Sequence, residues 1–385
     1  MIIENLHTVD WIILGALLGV FLAQVIWYAW ILCAPARCLR KERKTASQDS
    51  REESQLPGVS VILSAHNEGF NLSQYLPSLL TQNYPTYEVI VVDDGSEDNT
   101  RDVVEQFMVS DPRLKMTFVP YGARVQSTKK LALTLAAKSA QYDYLLLTDA
   151  DCVPESPNWI RTMMKGFQQP KDIVLGFGAY FEDKGHINRL VRFDTLFNGL
   201  HYLGAALCGC PYMGVGRNLA YRKALFFETG GFSHQMTNRA GDDDLFVNHL
   251  ATKQNTAIVV SPESYTWSPA KRTFKEWWQQ KRRHISVSPA YRTATKWQLL
   301  FEPLTRGLFY ALVILTIIRY RLSLIGLAAL GLFILRWLIQ TAILNTSARR
   351  MGLRGFNPFT ILWFDIILPL INLWMIIIPQ KKFKW

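Results

Sequence analysis

The strongest constraint on this chain is where its apolar residues lie. Trp11 to Cys33 carries no charged side chain and is long enough for a helix to cross a bilayer, which takes about 20 residues. Leu299 to Ile318 and Leu322 to Leu344 read as two further spans joined by a very short turn. Arg336 interrupts the second and needs a partner or a snorkelling route. A last apolar stretch, 359–379, contains Asp365 and Pro369. If it spans, Lys381, Lys382 and Lys384 finish outside, against the positive-inside rule. A re-entrant or interfacial hairpin bent at Pro369 returns that tail to the cytoplasm and is the preferred reading. Hydrophobic residues make up 49% of the chain, yet its middle has the mixture of an ordinary globular domain.

The first apolar run reads as an anchor rather than a cleaved signal peptide. Glu4 and Asp10 precede it without any Lys or Arg, and it is too long for that role. Arg37, Arg40, Lys41, Arg43 and Lys44 follow closely, which puts the N-terminus outside and everything after about residue 35 in the cytoplasm. The expected organisation is a transmembrane anchor at 1–36, a basic and polar linker at 37–56 and a cytoplasmic domain at 57–270. An amphipathic interfacial segment at 271–298, two transmembrane helices at 299–345 and a spanning or re-entrant segment with a basic tail at 346–385 complete it. The net charge of +11 flanks the apolar stretches, which points to a membrane surface and not to nucleic acid. No zinc-finger spacing or aromatic RNA motif accompanies it. Cys33, Cys38, Cys152, Cys208 and Cys210 are odd in number and form no Cys-x-x-Cys pair, as expected of reduced cytosolic thiols. Cys208 and Cys210 flank Gly209 and read as small buried residues at a tight turn, with metal contact the alternative.

Between the apolar blocks, strands and helices alternate. Val59 to Ser64 reads as a strand, Ala65 to Gly69 as a turn, and Leu72, Leu76, Leu79 and Leu80 mark an amphipathic helix. Tyr87 to Val92 is a second strand ended by Asp93-Asp94-Gly95-Ser96, with a helix from about Thr100 and a third strand at Lys115 to Val119. A helix at Lys129 to Ala140 precedes a short buried strand, Tyr144 to Leu147, that runs into Thr148-Asp149-Ala150-Asp151. Such alternation predicts an α/β fold with a mostly parallel sheet and helices on both faces. No Gly-x-Gly-x-x-Gly follows the first strand, which argues against a dinucleotide-binding domain. Further on come a short helix near 157–168, a strand at 172–179, a helix at Arg189 to Leu207 that could lie in the membrane interface, and a tryptophan-rich basic run at 273–284 suited to headgroup level.

Acidic side chains concentrate at three places. Asp149 and Asp151 point the same way if the extended chain persists, and two such charges are best bridged by a divalent cation. The bland alternative is a polar turn closing a strand. Asp93 and Asp94 end a strand where open α/β sheets bind ligands, though an Asp-Gly turn capping a helix reads equally well. Asp242, Asp243 and Asp244 would raise at least one pKa by mutual repulsion, which suits a base, whereas a solvated helix N-terminus is the ordinary reading. His66 and His201 read as structural histidines.

The ordered set VSVILSAHNE, VVDDGS, STKKLAL, LLTDAD, GVGRNLAYR, GGF, GDDDL and QKRRH resembles the family 2 glycosyltransferases over roughly residues 57–290. These are inverting enzymes with a GT-A nucleotide-diphospho-sugar transferase fold. The resemblance implies a nucleotide-sugar donor, expected to be UDP-linked, and a lipid-linked or membrane-proximal acceptor. It implies that Asp94 contacts the base, with Ser64, Asn67, Glu68 and Asp93 in the same pocket, and that Lys129 faces the diphosphate; a solvated position is the ordinary reading for Lys130 and the alternative for Lys129. Asp149 and Asp151 would hold Mg²⁺ or Mn²⁺. Asp242 takes the place of the family's Glu and Asp243 that of the base, with Asp244 open should the alignment slip by one. Gly216 and Asn218 fall on the acceptor or diphosphate side with Gln280 and His284. Gln280 to His284 resembles the Gln-x-x-Arg-Trp motif with His284 in place of Trp, which counts against processive synthesis; Arg283 could brace the diphosphate. A processive polysaccharide synthase and a non-catalytic scaffold that binds nucleotide or lipid are the competing readings.

Overall fold

The computed structural model describes residues 8–45, 56–120, 122, 125, 127–168, 170–233, 240–321 and 323–378. They form two units, Arg37–Tyr291 and a discontinuous unit of Met1–Ala36 with Arg292–Trp385. Residues 46–55 of the linker expected at 37–56, and the tail lysines, lie outside the described residues.

In chain order, α1 (Thr8–Trp27) runs through one wide turn into α2 (Ala34–Thr45). Then β1 (Val59–Ala65), α3 (Gly69–Leu80), β2 (Tyr87–Asp93), α4 (Thr100–Ser110), β3 (Leu114–Phe118), α5 (Thr128–Ser139) and β4 (Tyr144–Leu147) alternate as the sequence predicts. β5 (Val153–Pro154), α6 (Trp159–Met164), β6 (Ile173–Leu175), β7 (Gly178–Tyr180) and α7 (His186–Leu207) follow. The larger unit closes with β8 (Leu219–Arg222), α8 (Lys223–Glu228), α9 (Asp244–Leu250), β9 (Thr256–Ile258), β10 (Thr266–Ser268) and α10 (Phe274–Ile285). Three long helices come last: α11 (Thr293–Tyr320), α12 (Leu324–Arg350) and α13 (Pro358–Ile377).

The main sheet has the order β3-β2-β1-β4-β8-β6-β9, parallel except for β8, which runs against β4 and β6. β1 and β2 are nearly continuous apolar runs because both faces of the sheet are covered. Val59, Val61 and Leu63 pack in one core with Leu72, Leu76 and Leu79 of α3, each buried side chain contributing about 1.5–3 kcal/mol. Ala65 pairs with Asp93 and Ile62 with Leu147, so β1, β2 and β4 end at one sheet edge. β5, β10 and β7 form a second, three-stranded sheet.

Two predicted elements differ. The strand at 172–179 is two strands in different sheets. At the break, Gly176 donates its N–H to the Asn218 carbonyl at 3.0 Å, and a Cβ there would meet the Asn218 side chain at 2.6 Å. The helix placed in the membrane interface, α7, belongs to the globular core instead. Leu190, Leu200 and Leu203 are buried, the Tyr202 hydroxyl donates to Gly176 O at 2.7 Å, and a Cβ on Gly199 would strike the Phe177 ring at 2.3 Å. Gly209 does form a tight turn, at φ +89°, but Cys210 beside it is exposed.

Among the described residues, four helices are long and apolar enough to cross a membrane: Thr8–Glu42, Thr293–Tyr320, Leu324–Arg350 and Pro358–Ile377. The hairpin bent at Pro369 does not form, and α13 is one helix through that residue. Proline lacks the N–H that the Asp365 carbonyl would accept. Arg306 Nη1 on α11 donates to that carbonyl at 3.3 Å, so a neighbouring helix fills the gap. The Asp365 carboxylate also accepts from Arg306 and Arg336 at 2.8 Å each, from Gln340 at 2.7 Å and from the Tyr310 hydroxyl. Arg336 further donates to Gln24 at 2.9 Å and Tyr28 at 2.7 Å, and Arg306 to Glu302 at 2.7 Å. Two arginines thus face two carboxylates, and Arg336 has the partners its position requires.

Candidate active site

β4 stops at Leu147, earlier than the alternation argument assumed. A turn closed by the Cys152 N–H on Asp149 O at 3.1 Å, not an extended strand, brings the two acids together. Asp149, Asp151 and Cys152 each offer one donor atom, all within 4.8 Å of one another. Two carboxylates on an open turn fit a partly hydrated Mg²⁺ or Mn²⁺, which prefer oxygen ligands. The Cys152 thiol is 1% exposed, and burial with the charges of Asp151 and Asp149 pushes its pKa well up, keeping it a protonated, poor ligand.

Lys129, in the first turn of α5, joins the acidic groups. Its Nζ lies 3.0 Å from Asp149 Oδ1 and 3.3 Å from Asp242 Oδ2. Burial alone would raise the Asp149 pKa; the ammonium beside it more than offsets this and holds the carboxyl low. Asp151 has no such ion pair among the described residues, and burial plus the Asp149 charge push it up. The Lys129 and Asp149 side chains keep 40% and 32% of their surface open, so the cleft is accessible. Lys130, expected to be solvated, is instead buried and donates to Ala240 O at 2.9 Å.

The three adjacent acids have different environments. Asp243 caps α9, accepting from Asp244 N at 2.7 Å, and its Oδ2 accepts from the Gly216 N–H at 2.7 Å. Burial and the neighbouring Asp242 raise its pKa to about 6. A Cβ on residue 216 would lie 3.4 Å from that oxygen, so Gly216 bears on the acid, not directly on an acceptor. Asp244 is 3% exposed, and its oxygens accept from Leu245 N at 2.7 Å and from the Tyr291 hydroxyl at 2.8 Å. Burial and Asp243 raise its pKa to about 8. Asp244 is therefore packed away, and the alignment slipped by one is not supported.

On the β1–β2 side, Asp94 follows β2 and accepts from the Thr128 hydroxyl at 2.7 Å; burial raises its pKa. His66 holds the Asp94 carbonyl at 2.8 Å, a structural role as expected. His201 Nδ1 likewise bonds to Phe197 O at 2.9 Å within α7. Asn67, at φ +56°, accepts from Glu97 N at 2.8 Å, and Glu68 accepts from Asn71 at 2.5 Å. Burial and then the charges of Asp151 and Asp149 raise the Glu68 pKa. Ser64 is half-buried near the end of β1. Asp93 is buried and braces the loop through Ser96 N at 2.9 Å and Arg101 at 3.4 Å, so its carboxylate is not offered to a nucleotide.

Asn218 also departs from expectation. It is fully buried and bonds to Trp159, Phe177 O and Ser264 O, a core bracket with no face to an acceptor. From α10, Gln280 donates to the Tyr180 hydroxyl at 3.0 Å, and the Arg283 charge is felt at Asp149. Loss of water around the His284 ring, followed by the charges of Arg283 and Arg217, pushes its pKa down to about 4. His284 as a whole residue is nevertheless exposed. Thr128, Arg217 and Tyr291 escaped the sequence reading. Arg217 sits inside the quoted GVGRNLAYR run, where a charge among small apolar residues was the available signal.

A mostly parallel sheet with acidic turns gathered at one edge is the GT-A architecture of nucleotide-sugar-dependent glycosyltransferases. A mannosyltransferase from Pyrobaculum calidifontis, solved in complex with GDP-Man and Mn2+, shares this fold with a TM-score of 0.52 and 18% identity, covering 87% of this chain and 99% of that one. The sequence model of glycosyl transferase family 21 matches residues 20–385, and the chain belongs to that family. Among curated relatives, a probable glycosyltransferase from Bacillus subtilis is 26% identical over 238 residues, 60% of this chain and 54% of the relative. The chondroitin synthase of Escherichia coli is 25% identical over 239 residues, 53% of this chain and 34% of the relative. The aligned part thus spans about half or less of these relatives' length. The chain is thus a member of a glycosyltransferase family, and it carries apolar helices long enough to cross a membrane.

Proposed function

We propose that the protein transfers a single sugar, with inversion, from a nucleotide-sugar to a hydroxyl of a membrane lipid or lipid-linked acceptor. The donor is taken as UDP-linked, and the catalytic unit faces the cytoplasm. The observation that carries this reading is Lys129, which links Asp149 of the turn after β4 to Asp242 beside Asp243. In this reading a diphosphate-side group and a base share one cleft.

Asp243 accepts the acceptor's hydroxyl proton as that oxygen attacks the anomeric carbon and the sugar–phosphate bond breaks. Gly216 N–H and the start of α9 fix its carboxylate, and its raised pKa suits proton transfer near neutrality. Lys129 offers positive charge to the diphosphate, with Arg283 in support. Asp94 and Ser64 border the nucleotide side, and Asp149 and Asp151 would hold Mg²⁺ or Mn²⁺. Such an ion, when bound, stabilises charge on the departing nucleoside diphosphate.

Relatives named as polysaccharide synthases favour a second reading, repeated transfer to a growing chain. His284 in place of Trp and the four candidate spans among the described residues favour single transfer. The test is nucleoside diphosphate release from a panel including UDP-sugars and GDP-mannose, using membranes with wild type or Asp243→Asn. A lipid-extractable product of fixed size supports single transfer; a ladder on a gel supports the synthase. Equal release by both proteins removes Asp243 as the base, and no release with any donor supports the scaffold reading.

A further inference from the structure

Two lysines sit in the first turn of α5, where the helix gives neither a local reason to be. Cations at a helix N-terminus meet the positive end of the dipole, and acidic side chains are favoured there by about 0.3–1 kcal/mol each. Lys129 is accounted for by Asp149 and Asp242. Lys130 is buried, at 0% exposure, and an ammonium taken out of water costs several kcal/mol unless polar groups surround it. Its backbone is fixed as well, since Ser127 Oγ, the cap of α5, accepts from the Lys130 N–H at 3.4 Å.

The Lys130 side chain reaches the main chain that leads into the three acids. Its Nζ donates to Ala240 O at 2.9 Å. Ala240 also packs against the buried cluster of Leu245, Val287 and Tyr291. The next residue, Gly241, has φ +85°, and a Cβ there would meet Leu245 Cδ1 at 2.6 Å. A close left-handed turn thus separates this anchor from Asp242. Beyond the turn, the Asp243 carboxylate is held by Gly216 N–H and by the Asp244 N–H at the start of α9. The run 240–243 is therefore tied before the turn by Lys130 and after it by Gly216, with Asp242 against Lys129 in between. Two successive residues of α5 hold the Asp242 side chain and the backbone just ahead of it.

We propose that Lys130 is a positioning residue for Asp243: its hydrogen bond to Ala240 O holds the 240–243 run against α5 and so sets the base at a fixed place relative to Lys129. The inference rests on reading Asp243 as the base. Without that bond the run is free to shift about the turn at Gly241, and the Asp243 carboxylate loses its line to the acceptor hydroxyl. Lys129 belongs to α5 itself and keeps its place. The loss therefore falls on the chemical step and leaves the hold on the diphosphate intact.

The test compares the detergent-solubilised full chain as wild type, Lys130→Met, Lys130→Gln, Lys130→Arg and Asp243→Asn. Affinity for UDP and, separately, GDP is measured with Mn²⁺ present. Turnover is measured with UDP-sugars and GDP-mannose on native lipid extract and expressed per nucleotide-binding site, so that misfolded protein does not count. Lys130→Met keeps the length of the side chain without its donor. It should lower kcat about tenfold or more while diphosphate affinity stays within about twofold of wild type, the pattern of a displaced catalytic group. Lys130→Gln carries its amide on a shorter arm, should show the same split, and replaces the Met variant if that one does not fold. Lys130→Arg keeps a charged donor and should recover part of the loss. Wild-type kcat in the Met or Gln variant overturns the proposal. So does an equal fall of kcat and diphosphate affinity, which marks support of the whole cleft, or a loss in Lys130→Arg as deep as in Lys130→Met. If Asp243→Asn turns over as wild type does, the base reading itself fails.

Discussion

Asp243 and Asp244 are neighbours in sequence with opposite surroundings, and their protonation separates their roles. A base must be ionised, so with a pKa of about 6 at Asp243 the transfer rate should rise as pH passes upward through about 6 and be lost below it. An initial-rate profile from pH 5 to 8 checks this. Asp244, raised to about 8, holds a proton at neutrality. Its folded pKa exceeds its unfolded one, so between the ordinary carboxylate range and about pH 8 the unfolded chain releases a proton that the folded chain keeps. Stability therefore falls as pH rises through that window. Asp244→Asn should flatten this fall in melting temperature between pH 5 and 8, with transfer retained within several-fold. The acids themselves were legible because carboxylates at strand ends and in a run are conspicuous. Their division of labour was not, because it depends on Gly216 and Tyr291, which are remote along the chain from the three acids.

At the scale of elements, period and strand ends identified the first half of the globular unit, where every helix–strand alternation falls in the expected place. The misplacements share a cause. α7 shows one apolar face to a sequence reading, but whether that face meets lipid or protein depends on Phe177 and Gly176, which lie in another element. α13 contains a proline and an acid that read as a bend. Arg306 and Arg336 on other helices turn them into a binding point. Removing one charge from this set leaves its partner buried and unmatched, which costs about 3–5 kcal/mol. Asp365→Asn should therefore lower the melting temperature of the detergent-solubilised protein markedly. Asp365→Asn with Arg336→Gln, which restores neutrality, should lower it less than the single change.

For the molecule as a whole, the sheet order β3-β2-β1-β4-β8-β6-β9 brings the ends of β1, β2 and β4, and with them Ser64, Asp94 and Asp149, to one edge of the sheet. Orientation is a consequence of charge placement. With the basic cluster after α1 held in the cytoplasm, exposed Cys210 should resist a membrane-impermeant maleimide added to intact cells and react after permeabilisation. The central claim, that one cleft holds separate diphosphate-side and proton-accepting carboxylates, is met most directly by measuring nucleoside diphosphate affinity and sugar transfer together, with Mn²⁺ present. Wild type, Asp151→Asn and Asp243→Asn are the proteins to compare. The expected result is loss of transfer in both variants, by about 10²-fold or more for Asp243→Asn, with diphosphate affinity lost only in Asp151→Asn. Transfer by Asp243→Asn at the wild-type rate, or the same loss of diphosphate affinity in both variants, would contradict it.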